Sequence, residues 1–179
     1  MLEANLLGAA EDKNTLRGQI QLRLKRMDPK QGGLWSEDIV KQLKKHPKIQ
    51  LSILIAAFMP MKHEADLLPL FAEWAAQGKK VAIPPINVST DILNFSEFET
   101  NSAVSFITDS NKIVILVPGL AFDVRGGRLG RGKGCYDRFL KTLPSTIYKI
   151  GICFASQLVE KVPMTKDDVF VDEVITNQI

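Results

Sequence analysis

The chain has 179 residues, 45% of them hydrophobic and 24% charged, which is typical of a soluble globular protein, and its length predicts one domain over residues 1–179. The net charge of +3 argues against a general nucleic-acid-binding protein, which usually carries a strongly basic face. Two cysteines and two histidines supply neither a disulfide framework nor the spacing of a zinc site.

The N-terminal residues do not resemble a targeting signal. The first apolar residues, MLEANLL, have no basic region ahead of them, which argues against a secretory signal. No apolar run approaches the about 18 residues that a membrane helix needs. We therefore expect a cytoplasmic monomer that binds neither membranes nor nucleic acid.

Two helices are predicted at the start of the chain. Apolar residues at helical spacing indicate an amphipathic helix over residues 15–27, which Asp28-Pro29 would end. Residues 31–33, Gln-Gly-Gly, are expected to form a loop. Ser36 is a plausible N-cap for a second helix, which His46-Pro47 would close.

Apolar runs and helical patterns alternate along the rest of the chain. Strands are predicted over residues 49–58, 80–84, 113–117, 148–154 and 173–176, helices over 67–77 and 136–143, and a short helix or turn over 157–161. Residues 86–111 are polar and are expected to form a loop with one short strand at most. This alternation predicts an α/β layered single domain with a mostly parallel central sheet flanked by helices, with ligands at the carboxyl ends of the strands.

Residues 114–140, VILVPGLAFDVRGGRLGRGKGCYDRFL, contain the strongest functional signal. Between Arg125 and Gly134, five glycines and four cations follow directly on a predicted strand. Glycine lets a ligand approach the backbone, and free N–H groups beside fixed cations suit a polyphosphate. The stretch predicts a nucleotide-binding loop, although a flexible surface loop with solvated arginines is an alternative.

A P-loop is the nearest general motif, and the sequence does not fit it. Gly127, Gly132 and Lys133 match the pattern G-x-x-x-x-G-K. Gly134 then stands where a serine or threonine hydroxyl would bind magnesium. We therefore exclude the P-loop family.

The sequence RLGRGKGCYDRFL, preceded by PGLAFD at residues 118–123, resembles the signature of the 5-formyltetrahydrofolate cyclo-ligase (5,10-methenyltetrahydrofolate synthetase) family. Cys135 stands where the family has a tyrosine. The resemblance implies that Arg131 and Lys133 stabilise the transferring phosphoryl group and that Tyr136 lines the site. It implies ATP binding by Arg128, Leu129, Gly130, Arg131, Gly132, Lys133, Gly134, Cys135 and Tyr136.

The first predicted helix contains a second part of the resemblance. Lys13 and Arg17 are four residues apart and so share one helix face, which on its own would be read as a solvated basic surface. The family begins with a KxxLR-type element that reaches the nucleotide. The resemblance therefore adds Lys13, Asn14, Thr15, Leu16 and Arg17 to the ATP-binding residues.

The residues expected near the substrate lie in two segments. Met61, Glu64 and Asp66 lie between a predicted strand end and a helix, and all three are expected to contact the substrate. Glu64 and Asp66 fit a Glu-x-Asp/Glu-Thr element that contacts folate in the family, although Leu67 replaces the threonine. Helix capping by the two carboxylates is an alternative. Phe95 could stack on the pterin or aminobenzoyl ring, and it could equally anchor its loop to the core. The segment around it, residues 86–111, lacks the family's Glu-Pro element.

Asp137 and Asp168 are candidate ligands for Mg²⁺, which favours a few carboxylates together with phosphate oxygens and water. Asp137 could instead pair with an arginine or cap its helix. Asp168 lies in VPMTKDDVFVDEVIT, which resembles the family's C-terminal LPxxxHD element with Asp167 in place of the histidine. We expect Mg²⁺ to bind together with ATP.

The resemblance implies that ATP and a reduced folate, 5-formyltetrahydrofolate with or without a polyglutamate tail, are the partners of an ATP-dependent cyclo-ligase. The formyl oxygen would attack the γ-phosphate, and N10 would then close the ring of 5,10-methenyltetrahydrofolate as phosphate leaves. Two alternatives stay open. One is a non-catalytic nucleotide- or phosphate-binding module that has lost folate activity, and the other is a sugar-phosphate isomerase or coenzyme A transferase, whose layered folds are related.

Overall fold

The computed structural model describes residues 2–84, 93–106 and 110–178, with side chains from residue 11 onward. The helices in these ranges are α1 (Leu2–Lys25), α2 (Pro29–Lys45), α3 (Pro47–Leu51), α4 (Leu68–Ala76) and α5 (Cys135–Lys141). The strands are β1 (Leu54–Ala56), β2 (Lys80–Ile83), β3 (Ser96–Glu97), β4 (Ile113–Pro118), β5 (Ala121–Phe122), β6 (Arg128–Leu129), β7 (Tyr148–Ile152) and β8 (Glu173–Ile175). Single turns of 3-10 helix lie at Ser110–Lys112 and Ala155–Gln157.

Six strands form the central sheet in the order β3-β2-β1-β4-β7-β8, and every neighbouring pair is parallel except β2 and β3. In its middle, Ile55 of β1 lies opposite Val81 of β2 and Val114 of β4. β4 is buried along nearly its whole length, as a parallel strand covered on both faces should be. This arrangement confirms the predicted α/β layered fold with a mostly parallel sheet flanked by helices.

Hydrophobic clusters lie on both faces of the sheet. On one face, α2 and α4 bury Ile39, Leu43, Phe71 and Trp74. On the other, α5 and the segment 93–106 pack against the sheet. A third cluster joins α1 to the antiparallel pair β5-β6, through Ile20, Leu24, Leu120, Ala121 and Leu129. The polar face of α1 is thereby held beside the loop that contains β5 and β6.

The second helix begins earlier than the sequence suggests. α2 starts at Pro29, and the Asp28 side chain caps it by accepting the Lys30 N–H at 3.0 Å. Proline is tolerated in a first turn because its missing N–H would have no helical partner there. Ser36 is therefore not an N-cap; it lies inside the helix, and its hydroxyl donates to the Gly32 carbonyl oxygen at 2.8 Å.

The predicted strand over residues 49–58 is wrong in its first half. Residues Pro47–Leu51 form α3, which buries Ile49, and β1 covers only Leu54–Ala56. Pro47 in the first helical turn favours this outcome, because its ring fixes a φ angle that suits a helix. The first helix also begins at Leu2 instead of residue 15. The later strands and α5 lie within about two residues of their predicted bounds, as is usual for element ends.

The order of the strands creates a crevice. The chain runs from β1 outward to β2 and then returns to β4 on the other side of β1. Loops that leave the carboxyl ends of β1 and β4 therefore separate, and such a switch point is where open α/β sheets bind ligands. The loop after β1, residues 57–67, faces the glycine loop after β4, defined here as residues 119–134.

Candidate active site

A cleft of about 950 Å³ opens at this switch point. Its walls come from α1, from the loop after β1, from the glycine loop and from the start of α5. Of the residues predicted from the sequence, it brings together Lys13, Arg17, Met61, Glu64, Asp137, Asp168 and all of residues 128–136. Pro84, Leu93 and the segment Phe58–Pro60 also line it, and these apolar residues have no functional signal in the sequence beyond their place near strand ends.

The base of the glycine loop, defined as residues 121–129, is organised around Asp123. Its carboxylate is fully buried and accepts the backbone N–H groups of Arg125, Gly127 and Val162 at 2.8–3.0 Å. Burial by itself would raise the pKa of Asp123, but these hydrogen bonds outweigh burial and lower it. Asp123 is therefore an ionised structural group, although the sequence shows it only as part of a motif.

Glycines in the base are required for packing. A Cβ atom on Gly127 would lie 2.5 Å from Asp123 Oδ2, and one on Gly126 would lie 2.1 Å from the carbonyl oxygen of Val171. Gly126 also has a φ of +84°, which other residues rarely adopt. These two glycines let the loop pack closely on the protein and do not contribute to the cleft wall.

The tip of the glycine loop, defined as residues 130–134, has a different character. Gly132 and Gly134 have φ angles of +106° and +66°, and a Cβ atom on Gly132 would meet nothing closer than 3.6 Å. Arg131, Gly132 and Lys133 are exposed on the cleft. The tip therefore exposes backbone groups and cations on the cleft, and their contact with a nucleotide stays a prediction.

Two cations of α1 reach the cleft and fasten the helix to it. Lys13 Nζ lies 2.5 Å from Asp168 Oδ2, and Arg17 Nε donates to the Gly130 carbonyl oxygen at 3.0 Å. Their separation of four residues puts both side chains on one helix face. α1 therefore bridges the C-terminal segment and the tip of the glycine loop.

The residues between these two cations do not line the cleft. Asn14 and Thr15 are exposed on other faces of α1, and Leu16 packs into the hydrophobic cluster of α1. Asn14 instead accepts a hydrogen bond from Arg17 Nη1 at 2.6 Å. Intervening residues of a helix rotate away from the shared face, so the predicted contacts of Asn14, Thr15 and Leu16 with ATP stay a prediction.

Arg128 lies in the floor of the cleft and is not available as a free cation. Its side chain is 3% exposed, Nη2 donates to Asp137 Oδ2 at 2.7 Å, and Nη1 donates to the Pro118 carbonyl oxygen. The guanidinium also lies 5.6 Å from the centre of the Tyr136 ring. Arg128 therefore positions Asp137 and Tyr136, and its predicted contact with ATP stays a prediction. Leu129 beside it is buried in the α1 cluster.

Arg131 and Glu64 connect opposite walls of the cleft. Arg131 Nη2 donates to Glu64 Oε1 at 2.8 Å, while Glu64 Oε2 accepts the Met61 N–H at 3.0 Å. Lys133, by contrast, is exposed on the tip, and among the described residues no carboxylate pairs with it. Of the two cations of the tip, Lys133 is thus the one that a bound anion can reach without breaking an ion pair.

Tyr136 and Cys135 begin α5 at the edge of the cleft. Burial, reinforced by the negative charge of Glu64, raises the pKa of the Tyr136 phenol far above its ordinary value. The hydroxyl is therefore neutral at physiological pH and can donate a hydrogen bond. The Cys135 thiol is half-buried, and its sulfur lies 3.9 Å from Arg138 Nη2.

Asp66 and Phe95 do not line the cleft. The Asp66 carboxylate accepts the Leu68 N–H at 3.0 Å at the start of α4, so capping accounts for it. Phe95 is 6% exposed and packs on Phe106 and Phe139 at ring-centre distances of 5.5 and 4.8 Å. The ring is part of the core, which is the alternative that the sequence left open, and its contact with substrate stays a prediction.

The two candidate metal ligands differ in availability. Asp137 uses one oxygen for Arg128 and the other for the Val169 N–H at 3.1 Å, so it is the less available of the two. Lys13 and Thr165 both bind Asp168 through Oδ2, which makes Oδ1 the better candidate. Within the described ranges no three metal-binding side chains cluster. The two carboxylates therefore fit a magnesium ion that is held mainly by a nucleotide, with Asp168 as the more available protein ligand.

Comparison with known proteins agrees with this architecture. The sequence profile of the 5-formyltetrahydrofolate cyclo-ligase family matches residues 9–177, so the chain belongs to this family. The 5-formyltetrahydrofolate cyclo-ligase of Mycoplasma pneumoniae is 32% identical over 82% of this chain and 87% of its own length. That of Mus musculus is 24% identical over 91% and 92%.

Solved structures show the same fold. A 5,10-methenyltetrahydrofolate synthetase from Mycoplasma pneumoniae superposes with a TM-score of 0.80 at 25% identity, covering 93% of this chain and 99% of its own. The synthetase from Aquifex aeolicus gives 0.73 at 26% identity, covering 93% and 92%. Across the described residues, no helix combines the length and apolar character needed to cross a membrane.

Proposed function

We propose that this protein catalyses the ATP-dependent cyclisation of 5-formyltetrahydrofolate to 5,10-methenyltetrahydrofolate, with release of ADP and phosphate. The observation that supports it most is the family match over residues 9–177, which includes every segment that forms the cationic cleft. Lys13, Arg17 and Lys133 place positive charge on the cleft walls, as a triphosphate requires.

The proposed reaction has two steps. The formyl oxygen attacks the γ-phosphorus of ATP, the bond to the bridging oxygen breaks, and ADP leaves. N10 then attacks the activated formyl carbon and loses its proton, and the carbon–oxygen bond breaks as phosphate departs. Because an amide-like oxygen is a weak nucleophile, positioning and charge stabilisation must supply most of the rate enhancement.

The tip of the glycine loop would supply that charge. Lys133 would approach the γ-phosphate directly, and Arg17 would neutralise the rest of the triphosphate. Lys13 would add its charge only once its ion pair with Asp168 opens. The neutral Tyr136 hydroxyl would donate to a phosphate or formyl oxygen. A magnesium ion carried by the nucleotide, near Asp168, would offset phosphate charge when bound.

Arg131 would have to change partners during the reaction. It is paired with Glu64 across the cleft, so its use on the transferring phosphoryl group requires that this ion pair open. The released Glu64 carboxylate could then accept hydrogen bonds from the donor-rich pterin ring. Nucleotide binding and folate binding would therefore favour each other through this pair.

One assay tests the proposal. Purified protein is given Mg²⁺ and ATP with and without 5-formyltetrahydrofolate, and ADP and the methenyl product are both measured. We expect ADP to form only with the folate and in equal amount to the methenyl product. Folate-independent ADP formation, or nucleotide binding with no turnover, would support a non-catalytic or unrelated activity instead.

The remaining predictions belong to the same proposal. We propose that the chain acts as one domain and as a monomer, that it works in the cytoplasm, that Mg²⁺ is required, and that it accepts folates with or without a polyglutamate tail. Light scattering of the purified protein and loss of turnover in excess chelator test the monomer and the metal. Unchanged activity in chelator would exclude the metal.

A further inference from the structure

A second cavity of about 430 Å³ lies beside the cleft. Met61 and Arg131 line both cavities, so these two side chains form their common border. The second cavity, here called the side groove, lies between α1 and the turn that follows β1. Its other lining residues are Gln21, Leu24, Lys25, Lys62, His63 and Leu120.

The side groove is cationic. Lys25 and Lys62 are exposed, and no carboxylate is among the described residues that line it. Lys25 lies about two helical turns beyond Arg17 on α1, so the cationic face of the helix continues from the cleft into the side groove. A hydrogen bond of 2.9 Å from the Glu64 N–H to the Met61 carbonyl oxygen closes the turn that carries Lys62.

The side groove also has an apolar floor. Leu24 and Leu120 are 5% and 3% exposed and belong to the cluster that packs α1 on β5 and β6. A site with a rigid apolar floor and cations at its rim suits a flexible chain of methylene and amide groups that ends in carboxylates. An extended triphosphate has no apolar group that would pack on this floor.

We infer that the side groove binds the carboxylate-bearing glutamate end of the folate substrate, an inference that rests on the proposed function. In a reduced folate, the carboxylates lie at the opposite end of the molecule from the pterin ring. Glu64, the candidate pterin contact, lies at the border of the side groove through its ion pair with Arg131. A pterin beside Glu64 would leave the rest of the folate at this border, with the exposed Lys62 and Lys25 beyond it.

The test compares two substrates in a Lys25→Ala/Lys62→Ala double variant. One substrate is 5-formyltetrahydrofolate, and the other is 5-formyltetrahydropteroate, which lacks the glutamate. We expect the KM for 5-formyltetrahydrofolate to rise on the order of tenfold, since each exposed charge pair contributes only modestly. The KM for the pteroate and for ATP should match the wild type. Lys41→Ala, an exposed lysine on α2 outside both cavities, is the control.

Ionic strength provides a second readout. Salt screens exposed charge pairs, so the wild-type KM for 5-formyltetrahydrofolate should rise with salt and that of the double variant should rise less. Equal changes for both substrates, a rise in the KM for ATP alone, or no change at all would overturn the inference. A wild-type protein that turns over neither folate would refute the proposed function itself, so the two failures are distinguishable.

Discussion

The base and the tip of the glycine loop have similar compositions and opposite environments. In the base, Asp123 is fully buried and Arg128 is 3% exposed, and both are held by several hydrogen bonds. In the tip, Arg131, Gly132 and Lys133 are exposed on the cleft. The difference shows that a run of glycines and arginines does not by itself mark ligand contacts: half of this run builds the support that holds the other half in place.

The largest effect is expected in the base, from Asp123→Ala. The substitution leaves the N–H groups of Gly127 and Val162 buried without their acceptor, so the free energy of unfolding should fall by about 3–5 kcal/mol. Urea unfolding measures this. Asp123→Asn keeps one acceptor oxygen, so its free energy of unfolding should fall by clearly less. A loss below about 1 kcal/mol in Asp123→Ala would show that the base does not depend on this carboxylate.

In the tip, Lys133→Ala should reduce turnover without destabilising the fold. Removing a cation from the transferring phosphoryl group should lower kcat about a hundredfold, or about 2.7 kcal/mol of transition-state stabilisation. Arg125→Ala is the matched control, because Arg125 is an exposed cation of the base that pairs with Asp123 outside the cleft. Its kcat should stay within about twofold of the wild type. Equal kcat values for the two variants would remove the distinction between base and tip.

The sequence allowed the architecture and the rim of the site to be predicted because those depend on local patterns. Buried runs such as Ile113–Pro118 and the four-residue spacing of Lys13 and Arg17 have direct geometric consequences. The start of α2 was missed because tertiary packing overrides the poor helix propensity of Gly32 and its neighbour Gly33.

Which residues support the site and which face the cleft could not be predicted, because this depends on partners that are distant in the sequence. The roles of Arg128 and Asp137 follow from their mutual ion pair and from the Val169 N–H, none of which a local pattern specifies. Phe95 is likewise a core residue only because Phe106 and Phe139 pack on it. Residue type indicated the chemistry of these positions, and burial decided which of them face the cleft.

Glu64→Gln tests whether the tip is restrained by the opposite wall. The variant weakens the ion pair with Arg131, so the arginine becomes available to phosphate and the KM for ATP should fall about threefold. The loss of the carboxylate should at the same time lower kcat/KM for 5-formyltetrahydrofolate. Both constants come from steady-state assays at saturating co-substrate. A KM for ATP that rises in Glu64→Gln would mean that the ion pair supports the nucleotide site.

A modest effect on stability is expected where α1 meets the C-terminal segment. Burial would raise the pKa of Asp168, but hydrogen bonds from Lys13 and Thr165 outweigh it and lower the pKa below its ordinary value of 3.8. Because the folded-state pKa is the lower one, the stabilisation is present above the unfolded-state value and is lost as pH falls through the folded-state value. Lys13→Met should therefore cost about 1 kcal/mol near neutral pH.

Urea unfolding of the Lys13→Met variant and of the wild type at several pH values measures this loss. The difference between the two proteins should begin to shrink near the unfolded-state pKa of about 3.9 and continue as the pH falls through the lower folded-state pKa of Asp168. A difference that is independent of pH would show that Lys13 stabilises α1 by packing alone. Lys41→Met, on the exposed surface of α2, should leave the unfolding free energy unchanged at every pH.

The smallest effect is expected at Cys135, which lies between the tip and α5 and lines the cleft. The proposed reaction forms no bond to sulfur, and the contacts of this thiol, at 3.9 Å to Lys133 O and Arg138 Nη2, are weak. Cys135→Ser should therefore keep kcat within about twofold of the wild type. A thiol-alkylating reagent should inactivate the wild type only because the attached group blocks the cleft. Comparing a small alkylating group with a large one separates the two causes of inactivation. Abolished turnover in a folded Cys135→Ser variant would mean that the thiol takes part in catalysis, and the tip would then supply a nucleophile as well as charge.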